Sequence, residues 1–201
     1  MAFDYAGVPT ILLGSQSPRR LALLEGMGLR CEVLRGDFDE RAASDSHPTG
    51  GMHLAEFLAL GKLRAIALRA GCRAGGGILL TADTVVMLDG ERLDKPQDEA
   101  QALERLMRLS GREHEVVTGL ALSYRGRITS LSETTHVQFA PFDERYARAY
   151  IASGSPYDKA GGYGIQDWFG LGAVVAIRGS YTNVMGLPTH RVHHYLMANF
   201  T

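Results

Sequence analysis

The chain has 201 residues, 45% of them hydrophobic, and its 21 Lys and Arg residues nearly balance its 22 Asp and Glu residues. That is enough apolar material for one large domain, and the balanced charge argues against a general electrostatic grip on nucleic acid or membrane. Two cysteines without CxxC spacing argue against a disulfide framework or a zinc site. We therefore expect a soluble cytoplasmic protein with no signal peptide, no membrane span and one domain spanning residues 1–201.

The first third of the chain alternates strand and helix patterns. An apolar run is followed by Ser17 and Pro18, which are typical of a helix N-cap and a first helical turn. Apolar positions at helical spacing then recur after residue 53. The elements predicted here are a strand at 10–14, a helix at about 18–27, a strand at 31–36 that ends in an acidic loop at 37–40, a polar loop at 47–51, and a helix at 53–70.

The rest of the chain contains two hairpin signals, at Asp89-Gly90 and at Arg125-Gly126. Such pairs are typical of tight turns between antiparallel strands. Together with the alternating first part, they predict an α/β fold with a mixed sheet. The other predicted elements are helices at 98–109 and 143–153, a glycine-rich loop at 161–172, a buried strand at 173–179, a loop at 179–188, and a last helix at 188–197.

The stretch GSQSPRR, residues 14–20, joins the first strand to the first helix. A helix N-terminus offers unpaired N–H groups, and the hydroxyls of Ser15 and Ser17 add further donors. Arg19 and Arg20 carry planar guanidinium groups, whose paired N–H donors match the geometry of phosphate oxygens. The stretch therefore suggests a phosphate site, and the alternative is a capped helix start with surface arginines.

Two acidic residues stand out. Asp83, followed by Thr84, interrupts an otherwise apolar strand, where a carboxylate is costly unless it is paired or binds a metal. It is a candidate general base or metal ligand, or else a hydrogen-bonded structural residue. Glu40 could join it, because Mg²⁺ uses one or two carboxylates together with substrate phosphates. Considered by itself, Glu40 is more typical of a solvated acidic residue in a loop.

Further candidates are cationic or polar. Lys62 lies in the middle of a predicted helix and Lys95 precedes a proline; each could reach a phosphate, or else be a snorkelling or surface lysine. Lys159 and Gln166 lie on the glycine-rich stretch 157–166. Glycines allow close approach to a ligand, and a Gln amide can donate and accept at a base edge. The alternative is an ordinary turn.

These stretches together resemble the Maf family of nucleoside triphosphate pyrophosphatases, also called septum formation inhibitor Maf, from about residue 10 to 194. The resemblance implies an elongated mixed sheet with flanking helices and two lobes around a central cleft, similar to the inosine triphosphate pyrophosphatases. It also implies hydrolysis of a nucleoside triphosphate to the monophosphate and pyrophosphate with a divalent cation, Mg²⁺ or Mn²⁺. The stretches that carry it, in order, are GSQSPRR, DFDE, TADTVV, KPQDEAQALERLMRLSGREHEVVTG, YDKAGGYGIQ and GSYTNVMGLP.

The resemblance assigns roles to the candidates. Asp83 matches the proton acceptor, and Glu40 is expected to share the metal with it. The dTTP/UTP branch of the family is implied by matches at Arg19, Thr84 and Gln166. The implied substrate-binding residues are Ser15, Ser17 and Arg20 for phosphate, Lys62 and Lys95 in the cleft, Lys159 on the glycine-rich loop, and Arg19, Thr84 and Gln166 for the choice of nucleotide.

The sequence departs from the family pattern after Gln166. Asp167 and Trp168 stand where many members have glycine, and this change could alter the base pocket. One alternative function is a pyrophosphatase for modified or other nucleotides, such as 7-methyl-GTP, CTP or ITP. Another is a nucleotide-sensing regulator of cell division without turnover. A homodimer is expected from the family, and nucleic-acid binding is the least favoured role.

Overall fold

A computed structural model describes residues 5–36, 38–47, 52–70 and 76–200, with the backbone alone at 41, 69 and 70. Seven strands and eight α-helices lie in these ranges. The strands are β1 (Ile11–Leu13), β2 (Cys31–Val33), β3 (Ile78–Leu88), β4 (Glu91–Leu93), β5 (Glu113–Tyr124), β6 (Arg127–Phe139) and β7 (Val174–Arg178). The helices are α1 (Pro18–Gly26), α2 (Glu40–Asp45), α3 (Leu54–Ala70), α4 (Glu99–Leu109), α5 (Glu144–Ile151), α6 (Trp168–Ala173), α7 (Tyr181–Val184) and α8 (Thr189–Phe200).

The strands form one mixed sheet in the order β2-β1-β3-β5-β6-β7, and β4 pairs with β3. β1 runs parallel to both of its neighbours, with Ile11 opposite Cys31 on one side and Ile78 on the other. β7 runs antiparallel to β6. The prediction of an α/β fold with a mixed sheet and flanking helices is therefore confirmed.

The contacts divide the chain into two compact units. The first unit comprises Met1–Asp83, Thr118–Glu133 and Gly186–Thr201, and the second comprises Thr84–Val117 and Thr134–Met185. The first unit has two apolar clusters, one around Ile11, Leu80 and Leu196 and one where α3 meets the sheet. The second unit has its own core of aliphatic and aromatic side chains. The elongated outline, the central cleft and the single domain stay predictions.

The alternation of side chains along β3 decides which face of the sheet Asp83 lies on. Leu79 packs in the cluster with α3, whereas Leu80 packs in the other cluster of the first unit. Because side chains alternate along a strand, Thr81 and Asp83 share the face of Leu79. The Thr81 hydroxyl donates to the Ala59 carbonyl oxygen of α3 at 2.7 Å. Asp83 is therefore presented to α3, the helix that carries Lys62.

Both predicted hairpin turns are confirmed. Asp89 and Gly90, between β3 and β4, have φ of 51° and 80°. Arg125 and Gly126, between β5 and β6, have φ of 48° and 80°. Two successive left-handed residues match the twist of antiparallel strands, which explains why two residues suffice to reverse the chain.

Four local predictions were wrong. Glu40 begins α2 instead of lying in a loop, because the Asp39 carboxylate accepts from the Ala42 N–H at 2.9 Å and caps the helix. The predicted loop 179–188 contains α7, capped by the Ser180 hydroxyl, and the predicted loop 161–172 contains most of α6. The predicted strand 173–179 forms as β7 but is mostly exposed, since it lies at the sheet edge. Residues 48–51 of the polar loop lie outside the described residues.

No helix in the described ranges is both long and apolar enough to cross a bilayer.

Gly119 of β5 determines how closely α3 approaches the sheet. A Cβ built at this position would lie 2.1 Å from both the carbonyl carbon and the carbonyl oxygen of Ala55 in α3. Backbone atoms of a packed helix cannot yield as the end of a flexible side chain can. The missing side chain at Gly119 therefore allows α3 to pack directly on the sheet.

We expect Gly119→Ala to lower the free energy of unfolding by about 3 kcal/mol or more, because the added methyl group displaces α3. The matched control is Gly26→Ala at the end of α1, where an added Cβ meets nothing within 4 Å. This control should change stability by less than about 1 kcal/mol. Urea denaturation of both variants measures the difference, and equal stabilities would contradict the role of Gly119.

Candidate functional site

The centre of the candidate site is an ion-pair cluster within the first unit. The Lys62 Nζ lies 2.5 Å from Asp83 Oδ1 and 2.7 Å from Glu40 Oε1. The side chains of Lys62 and Asp83 are 13% and 10% exposed, whereas that of Glu40 is 50% exposed. Two carboxylates thus converge on one cation, and the structure brings together three candidates that lie far apart in the sequence.

Each member of the cluster is placed by a different element. Asp83 projects from the α3 face of β3, Lys62 comes from the middle of α3, and Glu40 begins α2. Burying Asp83 without a counter-charge would be costly, and removing Lys62 would take away its direct ion-pair partner. Lys62 is therefore not a surface lysine but the partly buried cation shared by Asp83 and Glu40.

The start of α1 holds a second group of candidates in the same unit. Arg20 donates through Nε to the Gly186 carbonyl oxygen at 2.8 Å and through Nη1 to Ser15 Oγ at 3.0 Å. The Ser17 N–H also points to Ser15 Oγ, at 3.3 Å. Ser15 is therefore the shared acceptor that orders this turn, and Gly186 is an anchor that the sequence interpretation missed.

Ser17 occupies the predicted N-cap position, but its hydroxyl makes no capping hydrogen bond to the described residues of α1. The Ser17 side chain therefore does not cap the first N–H groups of α1. Arg19 lies next on the helix and is partly buried. Burial lowers the pKa of Arg20, while the charges of Asp83 and Glu40 act in the opposite direction.

Four candidates belong to the second unit or its boundary. Thr84 follows Asp83 on β3, so its side chain lies on the opposite face of the strand. Lys95 is exposed between β4 and α4. Lys159 is buried, and Gln166 is partly buried just before α6.

Lys159 is held by neighbours within the second unit. Its Nζ donates to the Ser155 carbonyl oxygen at 2.6 Å, to Ser155 Oγ at 2.9 Å and to Asp158 Oδ1 at 2.7 Å. It also lies 3.5 Å from Asp167 Oδ2. Because three contacts occupy the three ammonium protons, a substrate contact by Lys159 would replace one of them.

Gln166 belongs to the same network. Its Nε2 donates to Asp167 Oδ1 at 3.0 Å, and Asp167 Oδ2 accepts from the Tyr150 hydroxyl at 2.6 Å. Burial opposes ionisation of Asp167, but the hydrogen bonds from Tyr150 and Ser155 outweigh it, so the pKa lies below its ordinary value. Sequence reasoning missed Tyr150 and Ser155. The available signal was the acidic residue at 167, where the family pattern has glycine.

His114 on β5 and Tyr163 on the glycine-rich stretch form a buried pair. The His114 Nε2 lies 2.7 Å from the Tyr163 hydroxyl, and both rings pack edge-on against Phe139. Burial lowers the pKa of His114 to about 4 and raises the pKa of Tyr163. The pair therefore ties the stretch that precedes Gln166 to the core of the second unit.

The chain is similar to known proteins over most of its length. A family model described as Maf-like protein matches residues 10–199. The chain is 42% identical over 190 residues to a dTTP/UTP pyrophosphatase of Porphyromonas gingivalis, covering 92% of each chain. It is 43% identical over 181 residues to a dTTP/UTP pyrophosphatase of Symbiobacterium thermophilum, covering 90% of this chain and 89% of the relative. A dTTP/UTP pyrophosphatase of Salinibacter ruber is 42% identical over 192 residues, covering 94% and 91%.

We expect the buried His114 to make the protein acid-sensitive. As the pH falls below 6.5, the ordinary pKa of the imidazole, the unfolded chain takes up a proton that folded His114 takes up only near pH 4. Stability is therefore present above about pH 6.5 and is lost towards pH 4, by about 3 kcal/mol in total.

The measurement is the free energy of unfolding at about pH 7.5 and about pH 4.5, compared with His114→Gln. Glutamine keeps a polar partner for Tyr163 but does not titrate, so the acid-induced loss should be smaller in this variant. Equal losses in both proteins would show that His114 is not the responsible group.

Proposed function

The chain belongs to the Maf-like protein family, whose model matches nearly all of it, and from this premise we propose that it hydrolyses dTTP and UTP to the monophosphate and pyrophosphate. The relatives named as dTTP/UTP pyrophosphatases support this substrate class. The observation that carries the proposal is the convergence of Glu40, Lys62 and Asp83. Two carboxylates around one cation provide both a proton acceptor and charge stabilisation for phosphoryl transfer.

In this proposal, Asp83 accepts a proton from the attacking water. The water oxygen forms a bond to the α-phosphorus, the bond between that phosphorus and the bridging oxygen breaks, and pyrophosphate leaves. Negative charge develops on the phosphate oxygens during this step, so nearby cations lower the barrier. Lys62, now bound by two carboxylates, is placed to exchange one of them for a phosphate oxygen.

The residues present fit a divalent cation. Glu40 and Asp83 present hard oxygen ligands that already surround one positive group at 2.7 and 2.5 Å. No group of three or more His, Cys, Asp or Glu residues that could hold a metal occurs in the described residues. A two-carboxylate site is typical of Mg²⁺, which takes its remaining ligands from water and substrate phosphates. When bound, Mg²⁺ or Mn²⁺ would neutralise phosphate charge.

The start of α1 would bind the phosphates. The Arg20 guanidinium is oriented by Ser15 and by the Gly186 carbonyl oxygen, so little side-chain freedom is left to lose on binding. Ser17 and the first N–H groups of α1 add donors, and Arg19 would contact the nucleotide as well. We include Lys95 and Lys159 as further phosphate-binding cations, and Thr84 and Gln166 as selectors of the nucleotide. The cytoplasmic location and the homodimer remain part of the proposal.

We expect Asp83→Asn to lower kcat/KM for UTP by about 10²- to 10⁴-fold, because the amide cannot accept the proton from water. The matched control is Asp94→Asn, which makes the same change at an exposed residue paired with Arg92 and should retain activity. Release of pyrophosphate, coupled to an inorganic pyrophosphatase, measures both. An Asp83→Asn variant as active as the control would contradict the assignment of the base.

A substrate panel tests the proposed function itself. We expect dTTP and UTP to be hydrolysed with the highest kcat/KM among dTTP, UTP, CTP, 7-methyl-GTP and ITP, in the presence of Mg²⁺. A preference for 7-methyl-GTP or ITP would replace the substrate assignment. Saturable nucleotide binding without release of pyrophosphate would instead favour a sensing protein without turnover.

A further inference from the structure

We propose that Asp167 is a positioning residue that fixes the Gln166 carboxamide in the orientation that accepts uracil and thymine and rejects cytosine. The inference rests on the proposed function, in which Gln166 contacts the base. It adds a residue outside the matched motif and a physical reason for the choice between pyrimidines.

The two oxygens of the Asp167 carboxylate have separate partners. Oδ2 accepts from the Tyr150 hydroxyl at 2.6 Å and from the Ser155 hydroxyl at 2.8 Å, and Lys159 Nζ lies 3.5 Å away. Oδ1 accepts from Gln166 Nε2 at 3.0 Å. One oxygen is therefore anchored by Tyr150 and Ser155, and the other accepts a hydrogen bond from the glutamine.

A carboxylate can only accept hydrogen bonds, so the carboxamide must turn its nitrogen towards Asp167. The opposite orientation would place the Gln166 carbonyl oxygen against a carboxylate oxygen at hydrogen-bond distance. The ionised state is supported by the hydrogen bonds and by the ammonium of Lys159, which keep the pKa of Asp167 low in spite of its burial. The amide orientation thus follows from the chemistry of its neighbour.

Asp167 is itself held in place. The Tyr150 hydroxyl donates to Oδ2 and accepts from the Gly164 N–H at 3.0 Å. The Tyr150 ring stacks on Phe169 with centroids 4.6 Å apart. A Cβ at Gly164 would lie 2.6 Å from Asp167 Oδ2 and 2.9 Å from Gln166 Nε2. The absence of a side chain at Gly164 therefore leaves room for the paired side chains of Asp167 and Gln166.

Orientation matters because a glutamine that rotates freely cannot discriminate between these bases. Uracil and thymine present an N3–H donor beside the O4 acceptor, whereas cytosine presents an N3 acceptor beside an N4 amino donor. A carboxamide matches either edge, since a half-turn exchanges its oxygen and nitrogen. With Nε2 fixed by Asp167, Oε1 can accept from N3–H and the second Nε2 proton can donate to O4. With cytosine, the N3 acceptor would face the Oε1 acceptor and the N4 amino donor would face the Nε2 donor.

The key variant is Asp167→Asn. Asparagine has the same shape, and its carbonyl oxygen can remain with the Tyr150 and Ser155 donors, near the Lys159 ammonium, while its amino group faces Gln166. The glutamine must then turn its oxygen to the asparagine, which reverses the pattern offered to the base. We expect the ratio of kcat/KM for UTP over CTP to fall by about tenfold or more. A merely structural role would lower both values together.

Two comparisons complete the experiment. Tyr150→Phe removes one bond to Oδ2 but leaves Oδ1 facing Gln166, so it should lower thermal stability with little change in the ratio. In a Gln166→Ala background, Asp167→Asn should change the ratio no further, because Asp167 acts through Gln166. Asp167→Ala is a second variant in case asparagine impairs folding. It frees the amide to rotate, so the ratio should fall by less than with asparagine.

The outcomes separate the inference from the function. A wild-type protein that releases no pyrophosphate from UTP overturns the proposed function and this inference with it. An active wild-type protein whose ratio is unchanged in folded Asp167→Asn and Asp167→Ala variants overturns the inference alone. An equal fall of the ratio in the Gln166→Ala background also overturns it, since Asp167 would then act without the glutamine.

Discussion

The ammonium group of Lys62, held between Asp83 and Glu40, is the interaction on which the candidate chemistry depends. A carboxylate as buried as Asp83 needs a counter-charge, and two carboxylates facing the same space would repel each other without one. Lys62 supplies that charge from α3. Because Lys62 is a point charge on a flexible stem, phosphate or a divalent cation can compete for the same contacts. In the proposed reaction, a phosphate oxygen of the substrate would replace one of these carboxylates at Lys62.

The second unit uses a carboxylate in a different way. Asp167 is surrounded by fixed donors, and Lys159, whose ammonium is engaged by Ser155 and Asp158, supplies the nearby positive charge. Such a saturated network is rigid, and it is better suited to orienting a neighbour than to exchanging ligands. The two acidic residues therefore differ in their surroundings: Asp83 is paired with one flexible lysine, whereas Asp167 accepts hydrogen bonds from Tyr150, Ser155 and Gln166.

Local chemistry explains which parts of the fold were predictable. The strands around Asp89-Gly90 and Arg125-Gly126 follow from turn residues that accept left-handed backbone. The short helices were missed where a single side chain decides the outcome, as when the Asp39 carboxylate caps α2 or the Ser180 hydroxyl caps α7. The burial predicted for β7 failed because hydrophobic residues alone do not reveal a position at the edge of a sheet.

The sequence by itself determined the α/β class, the family resemblance and the residue types of the site, because motifs and periodicity are local properties of the chain. It also placed Asp83 in an apolar strand, where a charge requires a partner. Only the tertiary structure decided that the partner is Lys62, since α3 contacts β3 through Thr81 and packs closely on the neighbouring β5 at Gly119, two positions far apart in the sequence. It also decided that Asp167 faces Gln166, because side-chain direction depends on Tyr150 and Ser155, whose positions no motif encodes.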